Sequence, residues 1–124
     1  MYQRPMVKVI IAGGRDYENY NELECVADHM LGKLMDAHDI VIISGGARGA
    51  DAMAMRYANH RGFELIVMPA DWHTFGKSAG YKRNAQMAEA ATHLIAFWDG
   101  KSRGTKHMID IAHSMKIKVH VSSY

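Results

Sequence analysis

Five short apolar runs alternate along the chain with longer segments in which apolar residues recur every three or four positions. The runs predict strands and the periodic segments predict helices with one buried face. The predicted strands are residues 7–12, 40–43, 64–68, 93–98 and 117–121, and the predicted helices are residues 23–34, 50–58, 81–91 and 105–115. Asn19 or Asn21 is suited to cap the first helix and Gly62 to end the second. Residues 70–79 are predicted to form a polar, aromatic loop.

This order of elements predicts one α/β domain that spans residues 1–124. Nearly continuous apolar strands are typical of a parallel sheet that is covered on both faces. Right-handed crossovers then give a doubly wound sandwich with a central, mainly parallel five-stranded sheet in the order 3-2-1-4-5. In that order the topological switch point lies between the first and fourth strands.

Glycine-rich patches follow three of the predicted strands, at residues 12–16, 44–51 and 99–105. Since the carboxyl ends of parallel strands meet at one edge of a sheet, we expect the patches to lie together. Glycine lets a backbone approach a ligand closely, and the amides at a helix start favour an anion. Each patch also carries an arginine, namely Arg15, Arg48 or Arg103. These features predict a phosphate-binding site.

The middle patch has the most specific pattern, because its turn leads directly into a predicted helix. Ser44 and Arg48 are placed to reach a phosphate, which would rest on the backbone amides of the turn. Asp51 falls in the first helical turn, where it either caps the loop or accepts a ribose hydroxyl. The alternative is a tight turn whose glycines serve packing alone.

The remaining candidates are less specific. Trp98 is suited to stack on a base, and a half-buried edge aromatic is the alternative interpretation. Residues 72–80, which contain Lys77 and precede Arg83 and Asn84, are either a lid over the site or a solvated loop. The full set of candidate ligand-binding residues is Gly13, Gly14, Arg15, Asp16, Ser44, Gly45, Gly46, Arg48, Gly49, Asp51, Lys77, Arg83, Asn84, Trp98, Ser102, Arg103, Gly104 and Thr105.

Composition narrows the class of protein. The formal net charge is +2 without a basic tail, which argues against strong non-specific binding of duplex nucleic acid. The single cysteine fits a reducing compartment, and no apolar segment approaches the roughly 20 residues of a membrane span, so we expect a cytoplasmic protein. The eight histidines form no metal-binding signature. We therefore expect no metal and no cofactor besides a nucleotide-like ligand.

The three patches, together with residues 77–84, resemble the motifs of the SLOG superfamily, and specifically its short YspA-like branch. The resemblance spans almost the whole chain, and the combination of motifs is more specific than any one of them. It implies a Rossmann-like fold that binds nucleotides or nucleotide-derived ligands. Relatives in the superfamily commonly pair through helices, so the resemblance also implies a homodimer.

Two better-known relatives in the superfamily set the alternatives. The Lonely Guy phosphoribohydrolases carry a motif similar to Gly100–Thr105, but it continues to a glutamate that is important for catalysis. Here Lys106, His107 and Met108 follow, which puts hydrolase activity in doubt. The DNA-processing protein A family has a turn very similar to residues 44–51 and binds single-stranded DNA.

The leading interpretation is a binding protein for a nucleotide or a nucleotide-derived small molecule, which acts as a sensor or a sequestering module rather than as an enzyme. The first alternative is a nucleotide N-glycosidic hydrolase. The second is a binder of single-stranded nucleic acid, which the nearly neutral charge disfavours.

Overall fold

The computed structural model describes residues 4–124, which form a five-stranded sheet in the order β3-β2-β1-β4-β5. All four strand pairs are parallel. The strands are β1 (Met6–Gly13), β2 (Asp39–Ser44), β3 (Glu64–Val67), β4 (His93–Trp98) and β5 (Lys118–Ser123). The structure confirms the predicted α/β, Rossmann-like, doubly wound architecture, including its strand order.

Helices connect the strands on both faces of the sheet. They are α1 (Tyr20–Met35), α2 (Ala50–Arg61), α3 (Trp72–Phe75), α4 (Ala79–Ala90) and α5 (Arg103–Ser114), with a 3-10 turn at Gly76–Ser78. Asn19 caps α1, because its side chain accepts a hydrogen bond from the Glu22 amide at 3.1 Å. Gly62 ends α2 in the left-handed conformation, as its position predicted. None of the helices within residues 4–124 is long and apolar enough to cross a membrane.

The prediction of a loop at residues 70–79 was wrong, because this segment contains α3 and the 3-10 turn. The Asp71 side chain accepts a hydrogen bond from the Thr74 amide at 3.1 Å and so caps α3. A single helical turn buries no residue here, so it leaves no apolar periodicity that a sequence pattern could reveal. Helix α5 also begins at Arg103, two residues before the predicted start.

Two hydrophobic cores lie on opposite faces of the sheet. Neighbouring residues of β1 point to opposite faces, so Val9 packs with Leu23 of α1 on one side. On the other side Ile10 packs with Met87 of α4 and Met108 of α5. All five of these side chains are at most 1% exposed. The sheet is therefore a rigid platform on which the loops at its carboxyl edge are held.

Glycine is required where β1 ends. A Cβ added to Gly13 would lie 2.9 Å from the Cβ of Ala50 and would also overlap the Phe97 carbonyl oxygen. The next amide, that of Gly14, donates to the same Phe97 oxygen at 3.2 Å. The end of β1 is thus pressed between β4 and the start of α2, which brings the three glycine-rich patches together.

Candidate functional site

A cavity of about 450 Å³ opens at the carboxyl edge of the sheet, between the segments that follow β1 and β4. This is the switch point where ligands bind in doubly wound folds. Twelve of the predicted residues line it: Gly13, Gly14, Arg15, Asp16, Arg48, Asp51, Lys77, Arg83, Asn84, Ser102, Gly104 and Thr105. Six lie outside its lining: Ser44, Gly45, Gly46, Gly49, Trp98 and Arg103.

The charged side chains of the cavity carry an excess of positive charge. Four cationic residues line it, namely Arg15, Arg48, Lys77 and Arg83, against the two carboxylates of Asp16 and Asp51. The Asp16 carboxylate already accepts a hydrogen bond of 2.7 Å from the Tyr124 hydroxyl. The cavity therefore favours an anionic ligand.

Arg83 and Asn84 connect three of the segments that surround the cavity. The Arg83 guanidinium donates to the Gly45 carbonyl at 2.8 Å and to the Asn84 side-chain oxygen at 3.1 Å. The Asn84 amide group, which is buried, donates to the Gly104 carbonyl at 3.2 Å. These bonds tie the turn after β2 to α4 and to the start of α5. Burial lowers the pKa of Arg83, while the nearby Asp51 carboxylate opposes that shift.

Ser44 and Asp51 shape the turn between β2 and α2. The buried Ser44 hydroxyl donates to the Asp51 carbonyl at 2.8 Å and accepts from the Gly46 amide at 3.2 Å. The Asp51 carboxylate accepts from the Ala47 amide at 3.2 Å, so Asp51 caps the loop. Burial raises the pKa of Asp51, and the positive charge of Arg83 partly offsets the effect.

The backbone amides of this turn are less available than the sequence suggested. Those of Gly46 and Ala47 donate to Ser44 and Asp51, and that of Ala50, the first residue of α2, donates to the Gly14 carbonyl at 3.1 Å. These three amides were expected to bind a phosphate, but they already donate hydrogen bonds within the protein.

The start of α5 also faces the cavity. The Asp99 carboxylate accepts hydrogen bonds from the Lys101 and Ser102 amides, both at 2.8 Å, just before the helix. Ser102 occupies the N-cap position without a side-chain hydrogen bond to the helix amides, and Ser102, Gly104 and Thr105 all line the cavity. The positive end of the helix dipole therefore faces the cavity at α5.

Trp98 and Arg103 do not reach the cavity lining. The Trp98 indole donates to the Ser102 carbonyl at 3.0 Å, and the ring packs against the core on the α4 and α5 side of the sheet. The structure thus places Trp98 as a half-buried edge aromatic, which was the alternative interpretation. Arg103 is exposed at the first position of α5.

Seven lining residues were absent from the predicted set, among them the small residues Ala12, Ala47 and Gly80. Two are exposed aromatics, Trp72 and Tyr81, and two are buried methionines, Met87 and Met108, each 1% exposed. Trp72 is the first residue of the predicted lid segment and Tyr81 directly follows that segment, so the sequence did contain a signal for both aromatic residues. The methionines occupy helix positions typical of core residues, and periodicity alone does not show that their side chains also face a cavity.

Comparisons with known proteins identify the family. Residues 7–75 match the family model described as "YspA, cpYpsA-related SLOG family". The chain is 34% identical over 121 residues to the Gene 61 protein of Mycobacterium phage D29. The aligned region covers 92% of this chain and 94% of the phage protein.

Two solved structures of DNA processing protein A have a similar fold. That from Streptococcus pneumoniae has a TM-score of 0.75 at 18% identity, over 94% of this chain and 50% of that chain. That from Helicobacter pylori has a TM-score of 0.63 at 21% identity, over 95% of this chain and 65% of that chain. This chain thus spans about half to two thirds of those proteins, and the likeness concerns the fold. With the family match over more than half of its length, the chain belongs to the YspA, cpYpsA-related SLOG family.

Proposed function

We propose that this protein binds a nucleotide or a nucleotide-derived small molecule in the cavity at the switch point, as a sensor or a sequestering module. The observation that carries the proposal is the combination of a cationic rim and an apolar floor in one cavity. Arg15, Arg48 and Lys77 supply the charge, and Met87 and Met108 supply the floor. Ligand sites typically combine an apolar lining with a few polar groups that fix orientation.

The two halves of a nucleotide match these two surfaces. A phosphate would contact the arginines and the start of α5, since guanidinium groups and helix amides both favour anions. The less polar sugar and base would extend over the methionines. A volume of about 450 Å³ falls within the range of small-molecule sites in proteins.

The same lining supports binding rather than hydrolysis. Cleavage of a glycosidic bond needs acid or base assistance. The two cavity carboxylates already accept hydrogen bonds, Asp16 from Tyr124 and Asp51 from Ala47. Met108, which follows Thr105 at the distance of one helical turn, presents a thioether to the cavity and has no proton to transfer.

A calorimetric panel tests the proposed function. The ligands are nucleoside monophosphates, ribose 5-phosphate and a single-stranded thymidine oligonucleotide, each at two salt concentrations. We expect one mononucleotide to bind per protein site. Mass spectrometry of the supernatant after denaturation identifies any molecule that co-purifies. If no phosphate-bearing compound binds, the proposal is wrong.

We also expect little or no release of free base when the protein is incubated with nucleoside monophosphates. The physical reason is that the two carboxylates of the cavity already accept hydrogen bonds, and that Lys106, His107 and Met108 rather than a glutamate follow the Gly104–Thr105 turn. Chromatography of the reaction mixture measures the free base. Robust turnover that Asp16→Asn abolishes would instead make the protein a hydrolase.

Single-stranded DNA binding is the second candidate. The solved Helicobacter pylori neighbour is described by its single-stranded DNA binding mode, and the cationic residues of this cavity lie at an open edge of the same fold. Backbone phosphates would then contact several cations at once, so affinity would fall steeply with salt. In the calorimetric panel, tight and strongly salt-dependent binding of the oligonucleotide with weak binding of mononucleotides would favour this candidate.

A further inference from the structure

We propose that Trp72 is the stacking wall for the base of the bound ligand, so that the cavity selects a nucleobase that carries a phosphate over a sugar phosphate. This inference rests on the proposed function and assigns the base-recognition residue of that same site. It concerns Trp72 of α3 rather than Trp98, which the sequence had offered for this role.

The first observation is the exposure of the indole. Trp72 is 51% exposed, although it lines the cavity and is among the largest apolar side chains of the chain. It stands on α3, a four-residue helix with no buried residue. An aromatic surface of this size is costly to leave in water, and a nucleobase would cover it by stacking.

The second observation is that the indole has neighbours on the protein. A Cβ added to Gly80 at the start of α4 would lie 3.5 Å from the Cη2 atom of Trp72, so the outer edge of the indole ring lies near this glycine. The Arg15 guanidinium lies 6.0 Å from the ring centroid, within the range of a cation–π contact. A ring that is positioned before the ligand arrives loses less conformational freedom on binding.

The same contact places charge beside the stacking surface. Arg15 belongs to the first glycine-rich patch and lines the cavity together with Trp72. A ligand whose base stacks on the indole would therefore have a guanidinium within reach of its phosphate. A sugar phosphate would use the cations but leave the indole uncovered.

The two other exposed aromatic side chains of this region differ from Trp72 in their surroundings. The Tyr81 ring lies against the His107 ring, with centroids 4.5 Å apart. Phe75 is 44% exposed on the same helix as Trp72, but it lies outside the cavity lining. The Lys82 ammonium lies 4.9 Å from the centroid of the Phe75 ring. Phe75 is therefore a matched control for Trp72.

Fluorescence of variants with one tryptophan tests the assignment, because Trp72 and Trp98 are the two tryptophans of the chain. The probes are adenosine and uridine monophosphates, ribose 5-phosphate and a thymidine oligonucleotide. In Trp98→Phe, which retains Trp72, we expect a nucleoside monophosphate to quench the emission and ribose 5-phosphate to leave it unchanged. In Trp72→Phe, which retains Trp98, we expect no change with either ligand.

Calorimetry supplies the second readout. Trp72→Ala is expected to weaken binding of the nucleoside monophosphate about tenfold and to leave that of ribose 5-phosphate unchanged. Phe75→Ala is expected to change neither. Urea unfolding of both variants checks that they fold, and Trp72→Phe, which keeps an aromatic face, should recover most of the affinity.

The outcomes separate this inference from the proposed function. Unchanged nucleotide affinity in Trp72→Ala, or an equal loss for ribose 5-phosphate, overturns the stacking assignment while the binding function stands. Quenching of Trp72 by the oligonucleotide alone supports the stacking assignment and identifies single-stranded nucleic acid as the source of the base. Failure of every phosphate-bearing probe to bind the wild-type protein overturns both.

Discussion

Replacement of Arg48 by alanine is expected to weaken nucleotide binding about tenfold or more, whereas the same change at Arg103 should leave the affinity within about twofold. Both arginines are exposed, and each directly precedes a glycine of its patch. Only Arg48 lines the cavity. A charge-assisted hydrogen bond to a phosphate contributes roughly 1.5–3 kcal/mol, which corresponds to a factor of ten or more in the dissociation constant.

Isothermal titration of both variants with the tightest mononucleotide of the panel measures this difference. Arg103→Ala removes the same formal charge, so it controls for the change in net charge of the protein. Neither side chain is buried, and both variants should unfold at the same urea concentration as the wild type. Equal affinities of Arg48→Ala and the wild type would remove the turn after β2 from the ligand site.

Replacement of Gly49 by alanine is expected to destabilise the fold by about 3 kcal/mol. Gly49 has φ +77° and ψ −129°, a backbone conformation that side chains other than glycine rarely adopt. An added Cβ would also lie 2.6 Å from the carbonyl carbon of Arg15 and would overlap the Gly14 oxygen. These are backbone atoms, so relief of the overlap must displace the first glycine-rich patch, and Arg15 with it.

Gly76→Ala is the matched control for this change. Gly76 has a similar backbone conformation, with φ +55° and ψ −131°, but an added Cβ would meet nothing within 4 Å. Backbone strain alone should therefore cost about 1–2 kcal/mol at Gly76, and the excess at Gly49 measures the close approach of the two patches. Urea unfolding gives both free energies. If the two variants lost the same stability, the tight contact between residues 14–15 and 49 would be excluded.

The architecture was predictable because it depends on local patterns. Apolar strand runs and a helical period appear in any stretch of about ten residues, and right-handed crossovers leave few topologies for such an order of elements. The same reasoning placed the glycine-rich patches at one edge of the sheet. Helix α3 was not predicted, because this single exposed turn, which Asp71 caps, buries no residue and therefore shows no apolar periodicity.

The sequence by itself thus determined the doubly wound fold, the family and the edge at which a ligand would bind, together with most of the residues around the cavity. Only the tertiary structure decided how those residues divide their roles. Ser44 and Asp51 accept hydrogen bonds from amides of the turn after β2, and Ser102, Gly104 and Thr105 at the start of α5 line the cavity. Trp72 reaches the cavity and Trp98 does not. The physical reason is that hydrogen-bond partners and side-chain directions depend on segments distant in the chain, whereas a sequence pattern reports only its own neighbourhood.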